Sequence, residues 1–410
     1  MDPLTHGLAG ALIAKAFFNS GAGKRKNQQD SLAGATGPEP SPGDSAYSAA
    51  VWTTTLAALF PDADIVLGPL SRSPVGTIEL HRWVTHSFLC LPVFALLLAA
   101  LARWWFVRRR GAGQPAVAVS FFRLTFYAGV GIASHILLDL ITSWGTMAWS
   151  PLSRQRVAWD LVFIIDFVLT GLLVVPQLAA WVFATPAGRS VRARRAWGAT
   201  SLAAVCAGLA VQLATPALPW TAIGVSFALL GMLFYAPAYR GWGFRVRRAV
   251  WCRAGVLAVA LYVAACGIAH NAALRRVQDY ASARGLAAEN LAAVPLPPSL
   301  ARWAGLVRTA DGVHQAIFSV LDAAPPDFRF VPHQTPPDAL ARARQIREVQ
   351  IYLWFARFPV ARYSRDPCRE IIIFNDLRFP RPLASRPAPF EYRVVFDAGG
   401  RLLEQGWVVD

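Results

Sequence analysis

The sequence predicts an all-α polytopic membrane helix bundle of six to eight membrane helices, followed by a C-terminal soluble α+β domain. Three observations carry that prediction. Of 410 residues, 55% are hydrophobic and only 16% are charged. Mean hydropathy is +0.38, too apolar for an ordinary water-soluble chain. Residues 46–270 are apolar runs separated by short basic loops, whereas 271–410 have ordinary soluble composition. The predicted domains are 1–270, membrane-embedded with a flexible linker at 20–45, and 271–410, an extracytoplasmic α+β domain.

A membrane span needs about 20 apolar residues. Hydropathy places helices at 4–19, 46–60, 87–107, 124–143, 160–184, 198–215, 220–239 and 254–270. The first two are short enough to be re-entrant, tilted or packed within protein. Loop 20–45 is rich in Gly, Ser and Pro, the composition of a disordered linker. Loops 20–45, 108–123, 185–197 and 240–253 hold sixteen lysines and arginines; the intervening loops hold four, Arg72, Arg82, Arg154 and Arg156. The positive-inside rule makes the first set cytoplasmic and the second outward-facing, together with everything after residue 271. Eight crossings then leave both termini outside. The expected location is a bacterial inner membrane, multi-pass.

Net charge is +16. Topology accounts for many of the arginines, and no basic stripe interleaved with aromatics is evident, so no nucleic acid is expected as partner. The five cysteines form no CxxC pair, and four lie inside apolar runs, as small packing residues do. The opening "MDPLTHGLAGALIAKAFF" lacks the basic n-region of a signal peptide. In the C-terminal part, 271–290 reads as a helix leaving the membrane and "AAVPLPPSLARW" as a Pro-rich elbow. The runs "REVQIYLWFARFPVARY", "REIIIFNDLRF", "EYRVVFDAGG" and "RLLEQGWVVD" read as strands, with a hairpin around Ala398–Gly400. His314 and His333 have no metal-like neighbours. This domain is expected to cover the outer site or bind a partner.

Four of seven histidines lie in the first 135 residues: His6, His81, His86 and His135. On the predicted topology all four sit near the outer surface. Asp62 and Asp64 in "FPDADIV" follow the second helix, and Asp139 follows His135 in "SHILLDLITSWGT". His135 and Asp139 are four apart and share a helix face, which Thr142 extends. An imidazole and a carboxylate so spaced can reach one cation. His81 and His86 are five apart and would diverge by roughly 140° in a continuous helix, so at least one belongs to a loop or cap. Singly, each motif has a plainer explanation: a hydrogen-bonded His–Asp pair, a common turn, an interfacial belt around Trp83. Together they bring four His and three Asp from four segments to one level. That set suits Zn²⁺, Mn²⁺ or Fe²⁺, and ionisable groups beside membrane helices are costly unless they serve a role.

"DPLTHGLAG", "PDAD", "HRWVTHS" and "SHILLDLITSWGT", in that order over about residues 1–170, resemble the membrane-bound metal-dependent hydrolase family, also described as LexA-binding inner-membrane-associated hydrolases. The resemblance implies a divalent metal, most simply zinc, on His6, Asp62, Asp64, His81, His86, His135 and Asp139. It also draws attention to Asp160 and Asp166 in "WDLVFIIDF". A more distant similarity is to zinc-dependent phospholipase C, whose HxxxD helix is matched by His135 and Asp139; its late His–Glu ligand pair has no counterpart here. The implied activity is a metal-dependent phosphoesterase acting on a membrane lipid or lipid-linked substrate. Asp64 and Glu79 are candidate general bases. Arg82 is a candidate phosphate clamp or, equally, an interfacial anchor. Asp166 fits a partner of a ligand histidine or a hydrogen bond within the bundle. Two other classes stay open: a transporter with an acidic proton relay, and a non-catalytic anchor whose His/Asp cluster is structural.

Overall fold

Asp2 starts the first helix. Its carboxylate accepts the Thr5 N–H at 3.0 Å and the Thr5 hydroxyl at 2.7 Å, and Pro3 occupies the first turn of α1 (Pro3–Phe17). The computed structural model describes residues 1–18, 42–108, 119–184, 189–214, 220–379 and 388–408. Most of the linker expected at 20–45 therefore lies outside the described residues, but 42–45 already belong to α2 (Pro42–Leu59). Past Leu59, Pro61 can supply no helical N–H, and the chain tightens into a 3₁₀ helix over Phe60–Val66. Two short helices follow, α3 (Leu67–Leu70) and α4 (Gly76–Leu80), then α5 (Leu91–Arg108) and α6 (Phe121–Leu140). The remaining bundle helices are α7 (Phe167–Val182), α8 (Arg189–Ala214), α9 (Trp220–Tyr239) and α10 (Arg248–Ala283).

Among the boundaries that differ from the hydropathy reading, two bear on the site and its surroundings. The third predicted helix starts at Leu91 rather than 87, so His81, the C-cap of α4, and His86, the last residue of a 3₁₀ turn over Val84–His86, both precede it. Residues 160–166 are not helical, because Asp166 caps α7 by accepting the Leu169 N–H at 2.8 Å. Hydropathy sees only apolarity and misses both stops. Eight crossings were expected. Among the described residues four segments are long and apolar enough: Ala46–Leu70, Leu91–Arg108, Phe121–Leu140 and Arg248–Ala283. α1 and α7, with 15 and 16 residues, reach only about 23 Å, short of a hydrocarbon core of about 30 Å.

Lipid offers helices no hydrophobic drive to associate, so small residues and close approach do that work. α2 is gripped from two sides in this way. A Cβ on Gly10 of α1 would stand 2.8 Å from the Thr54 carbonyl oxygen, and one on Gly131 of α6 would stand 2.5 Å from the same atom. Gly10 lies one turn after His6, and Gly131 one turn before His135. The two glycines thus bring both histidines to the end of α2 that carries Asp62.

The C-terminal part holds two antiparallel four-stranded meanders. The first is β1 (Asn290–Leu296), β2 (Arg302–Thr309), β3 (Gly312–Ser319) and β4 (Arg329–Pro332), in chain order. After α11 (Pro337–Ala343) and α12 (Arg347–Phe355) comes the second: β5 (Pro359–Arg365), β6 (Arg369–Asp376), β7 (Tyr392–Asp397) and β8 (Leu402–Trp407). The β7–β8 hairpin lies where the sequence puts it. Two sequence expectations fail. "REVQIYLWF" is helical: Val349, Tyr352 and Phe355 fall on one buried face at helical spacing. Much of the Pro-rich elbow is strand β1, in which alternate residues face opposite cores. Ala293 meets Ala269, Ala273 and Val277 of α10, while Ala292, Val294 and Leu296 meet Phe358, Val360 and Leu377. α10 runs unbroken through residue 270, so the same helix belongs to bundle and domain.

Gly131→Ala is expected to cost about 1–3 kcal/mol by overpacking and to lower the thermal unfolding midpoint in detergent. Gly171→Ala, where nothing lies within 4 Å, should leave the midpoint unchanged or raise it.

Candidate metal centre

The site forms where α1, the 3₁₀ turn after α2, the loop before α5 and the end of α6 meet. His135 is buried on α6, and its Nδ1–H donates to the Ala58 carbonyl at 2.7 Å. That bond fixes the tautomer and leaves a lone pair on Nε2. His86 is equally buried. Its Nδ1 lies 3.2 Å from Asp64 Oδ2 and 3.0 Å from Thr85 Oγ1, whose own proton goes to Asp64 at 2.6 Å. His86 Nδ1 is therefore a donor too, and its Nε2 also carries a lone pair.

These two lone pairs face each other. The Nε2 atoms are 3.0 Å apart. Asp139 Oδ2 lies 3.3 Å from His86 Nε2 and 3.4 Å from His135 Nε2. Asp62 Oδ1 lies 3.5 Å from both. Four acceptors thus converge with no proton assigned between them. Donors about 2.0–2.1 Å from a tetrahedral zinc ion stand about 3.3–3.4 Å from one another, and the observed separations bracket that value. His6 joins from α1. Among the described residues both its ring nitrogens are buried without hydrogen-bond partners, as are Asp62 Oδ2 and Asp139 Oδ2. Its Nε2 is 3.3 Å from Asp139 Oδ1, and its ring stacks on His135 at 3.6 Å. Donor atoms of His6, Asp62, His135 and Asp139 lie within 4.8 Å of one another, as do those of Asp62, His81 and His86. The residues present fit a divalent cation.

A proton is the rival occupant. Burial disfavours charge on His86, but Asp139, Asp62 and Asp64 outweigh it and raise this imidazole to about 9. Proton and metal compete for the same lone pair.

The other sequence candidates fall into different places. Asp64 is committed to orienting its neighbours: it takes His81 Nδ1 at 2.6 Å, the Arg82 backbone N–H at 3.1 Å and the Thr85 hydroxyl. Arg82, the candidate phosphate clamp or interfacial anchor, is turned into the cluster. It is 1% exposed, its backbone is left-handed at φ +66°, and its guanidinium pairs with Asp139 at 2.7 Å and donates to Thr142 at 3.2 Å. Asp139 Oδ1 also accepts from the Met1 amino group. Glu79, the other candidate base, has its carboxylate held by Arg347 at 3.0 Å and Arg154 at 3.5 Å. Asp166 makes the bundle hydrogen bond, accepting from Tyr262 at 2.8 Å. Asp160 pairs with Arg357 of the C-terminal part at 2.8 Å.

Three residues escaped the sequence reading as site components. Thr85 sits inside "HRWVTHS" and locks Asp64. Arg156 was counted as loop charge, yet it donates to the carbonyls of Ile78, His81 and Gly145. Trp144 packs against the His81 ring at 6.3 Å and the rings of Phe355 and Phe390 at 4.9 Å. Only its place after "LITS" could have marked it.

A family model described as YdjM inner membrane protein matches residues 1–217. The chain belongs to that family. The YdjM match contains the whole of the cluster and supports an inner-membrane protein with several spans; it shows no likeness to a hydrolase or to phospholipase C. No curated protein and no solved structure matches the chain.

Elemental analysis of the purified chain should find a stoichiometric divalent metal, lost in His135→Ala and Asp139→Ala. Asp64→Asn, which only loosens His81 and His86, should weaken metal affinity roughly 10–100-fold.

Proposed function

We propose that this chain is a membrane-embedded metal-dependent hydrolase, a phosphoesterase acting on a lipid or lipid-linked substrate at the outer face of the inner membrane. The observation that carries the reading is the convergence of His86 Nε2, His135 Nε2, Asp62 and Asp139 with both imidazole protons committed elsewhere. These four residues would hold the cation, with His6 beside them. Such a cation supplies Lewis acidity: it polarises a phosphoryl oxygen and makes water acidic enough to attack near neutral pH.

The chain's own groups supply the rest. Asp62 and His81 have side chains 13% exposed, against 0–2% for the others in the cluster, so substrate approaches from their side. His81 and Asp64 form an imidazole–carboxylate dyad at 2.6 Å. The carboxylate orients the ring, which places His81 to carry a proton to or from the reacting oxygen. Arg82 holds Asp139 in place from behind. A lipid substrate suits the depth of the site. The loop after α6 carries half-exposed Trp149 and Trp159 and the 84% exposed Leu152, the kind of side chains that settle at headgroup level.

One observation favours the rival reading of a structural cluster or proton relay: the buried Arg82–Asp139 pair is complete without any metal. Metal analysis combined with a screen of phospholipids and generic phosphoesters separates the two. The proposal expects hydrolysis that requires the metal. It also expects His81→Ala to lose about 10²-fold or more in kcat while its metal content stays at the wild-type level. A fully folded chain that takes up no metal, or a loaded one that cleaves no member of the screen, overturns it.

A further inference from the structure

One end of the first sheet abuts the helix bundle. Leu296, Arg302 and Ser319 are register partners at that end of β1, β2 and β3. The neighbouring Trp303 packs on Ala269 and Ala273 of α10. Ser299, in the β1–β2 turn, accepts the Phe163 N–H at 2.9 Å and donates to Asp166, the cap of α7. Arg276 of α10 donates to the carbonyls of Ser319, Val320 and Asp322. Arg276 lies six residues past His270, about 9 Å along the helix. The 319–322 turn is thereby held against the C-terminal end of the candidate membrane span Arg248–Ala283.

The side chains there do not suit water. Leu321 is 82% exposed and Ile317 50%. Beside them a cavity of about 390 Å³ is lined by Pro298, Ala301, Arg302, Ile317, Leu321 and Asp322, among others. Among the described residues Arg302 Nη1 has no hydrogen-bond partner, so this guanidinium is not committed to another group of the fold through that nitrogen. Cavity, cation, carboxylate and apolar rim occur together at one place.

We propose that this cavity binds the headgroup of a zwitterionic phospholipid carrying a phosphate and a primary amine. Arg302 takes the phosphate, as a guanidinium fork does. Asp322 takes the ammonium. Ile317 and Leu321 lie along the glycerol and first acyl carbons. The site is separate from the His/Asp cluster and holds whether or not that cluster is catalytic.

Delipidated full-length chain in detergent, titrated with dihexanoyl phosphatidylethanolamine and with dihexanoyl phosphatidylglycerol, tests the proposal through the thermal unfolding midpoint. Wild type should show a saturable rise with both and a higher affinity for the amine-bearing lipid. Arg302→Ala should weaken both by about tenfold or more. Asp322→Asn should remove the preference while keeping the phosphate-dependent rise. Asp322 and Leu321 are exposed, so Asp322→Asn and Leu321→Ser carry the test should Arg302→Ala not fold; Leu321→Ser should weaken both lipids. Equal responses in wild type and all variants, or a wild type indifferent to the amine, overturn the proposal.

Discussion

The proton on His135 Nδ1 decides the character of the site. By bonding to the Ala58 carbonyl it leaves Nε2 bare, and that bare nitrogen meets a second one on His86 and two carboxylate oxygens. Four acceptors in an apolar interior call for positive charge beside them, of which Arg82 and the Met1 amino group supply part through Asp139. The bond also ties α6 to the last turn of α2. Gly10 and Gly131 let the backbones come close enough for that tie to form, and Pro61 then turns the chain so that Asp62 and Asp64 point inward. The same few contacts therefore align both helices and donor atoms.

Much of this was legible in the sequence because it is local. The four-residue spacing of His135 and Asp139 fixes their common face, and the apolar runs fix the bundle. The histidines and aspartates could be named from motif and order alone. Their division into roles could not. Asp64 differs from Asp62 only by which neighbours it meets across the fold: His81, Arg82 and Thr85 on a segment 17 to 21 residues away. Arg82 looked like a surface cation because arginine between apolar runs usually is one. Its burial follows from a left-handed turn and a carboxylate on α6, neither of which a linear pattern encodes.

The C-terminal part was read less well for a related reason. Short apolar stretches serve strand and helix alike, and "REVQIYLWF" takes its helical form from packing against Trp144 and the second sheet. That packing reaches across from the bundle. Arg347 holds Glu79, Arg357 holds Asp160, and Trp407 donates to the Pro74 carbonyl at 2.5 Å. The second sheet thus braces the loops that carry His81 and Arg82, a relation invisible to composition.

α10 has a mechanical consequence. It is a single rod of 36 residues, about 54 Å long, rooted in lipid at one end and bonded to the first sheet at the other. A helix changes its tilt as the surrounding bilayer thins or thickens. Pivoted near residue 270, a lever arm of about 20 Å turned through about 10° sweeps the sheet sideways by about 3 Å. Any change in the tilt of this rod is passed directly to the first sheet, which Trp303 and Arg276 hold against it.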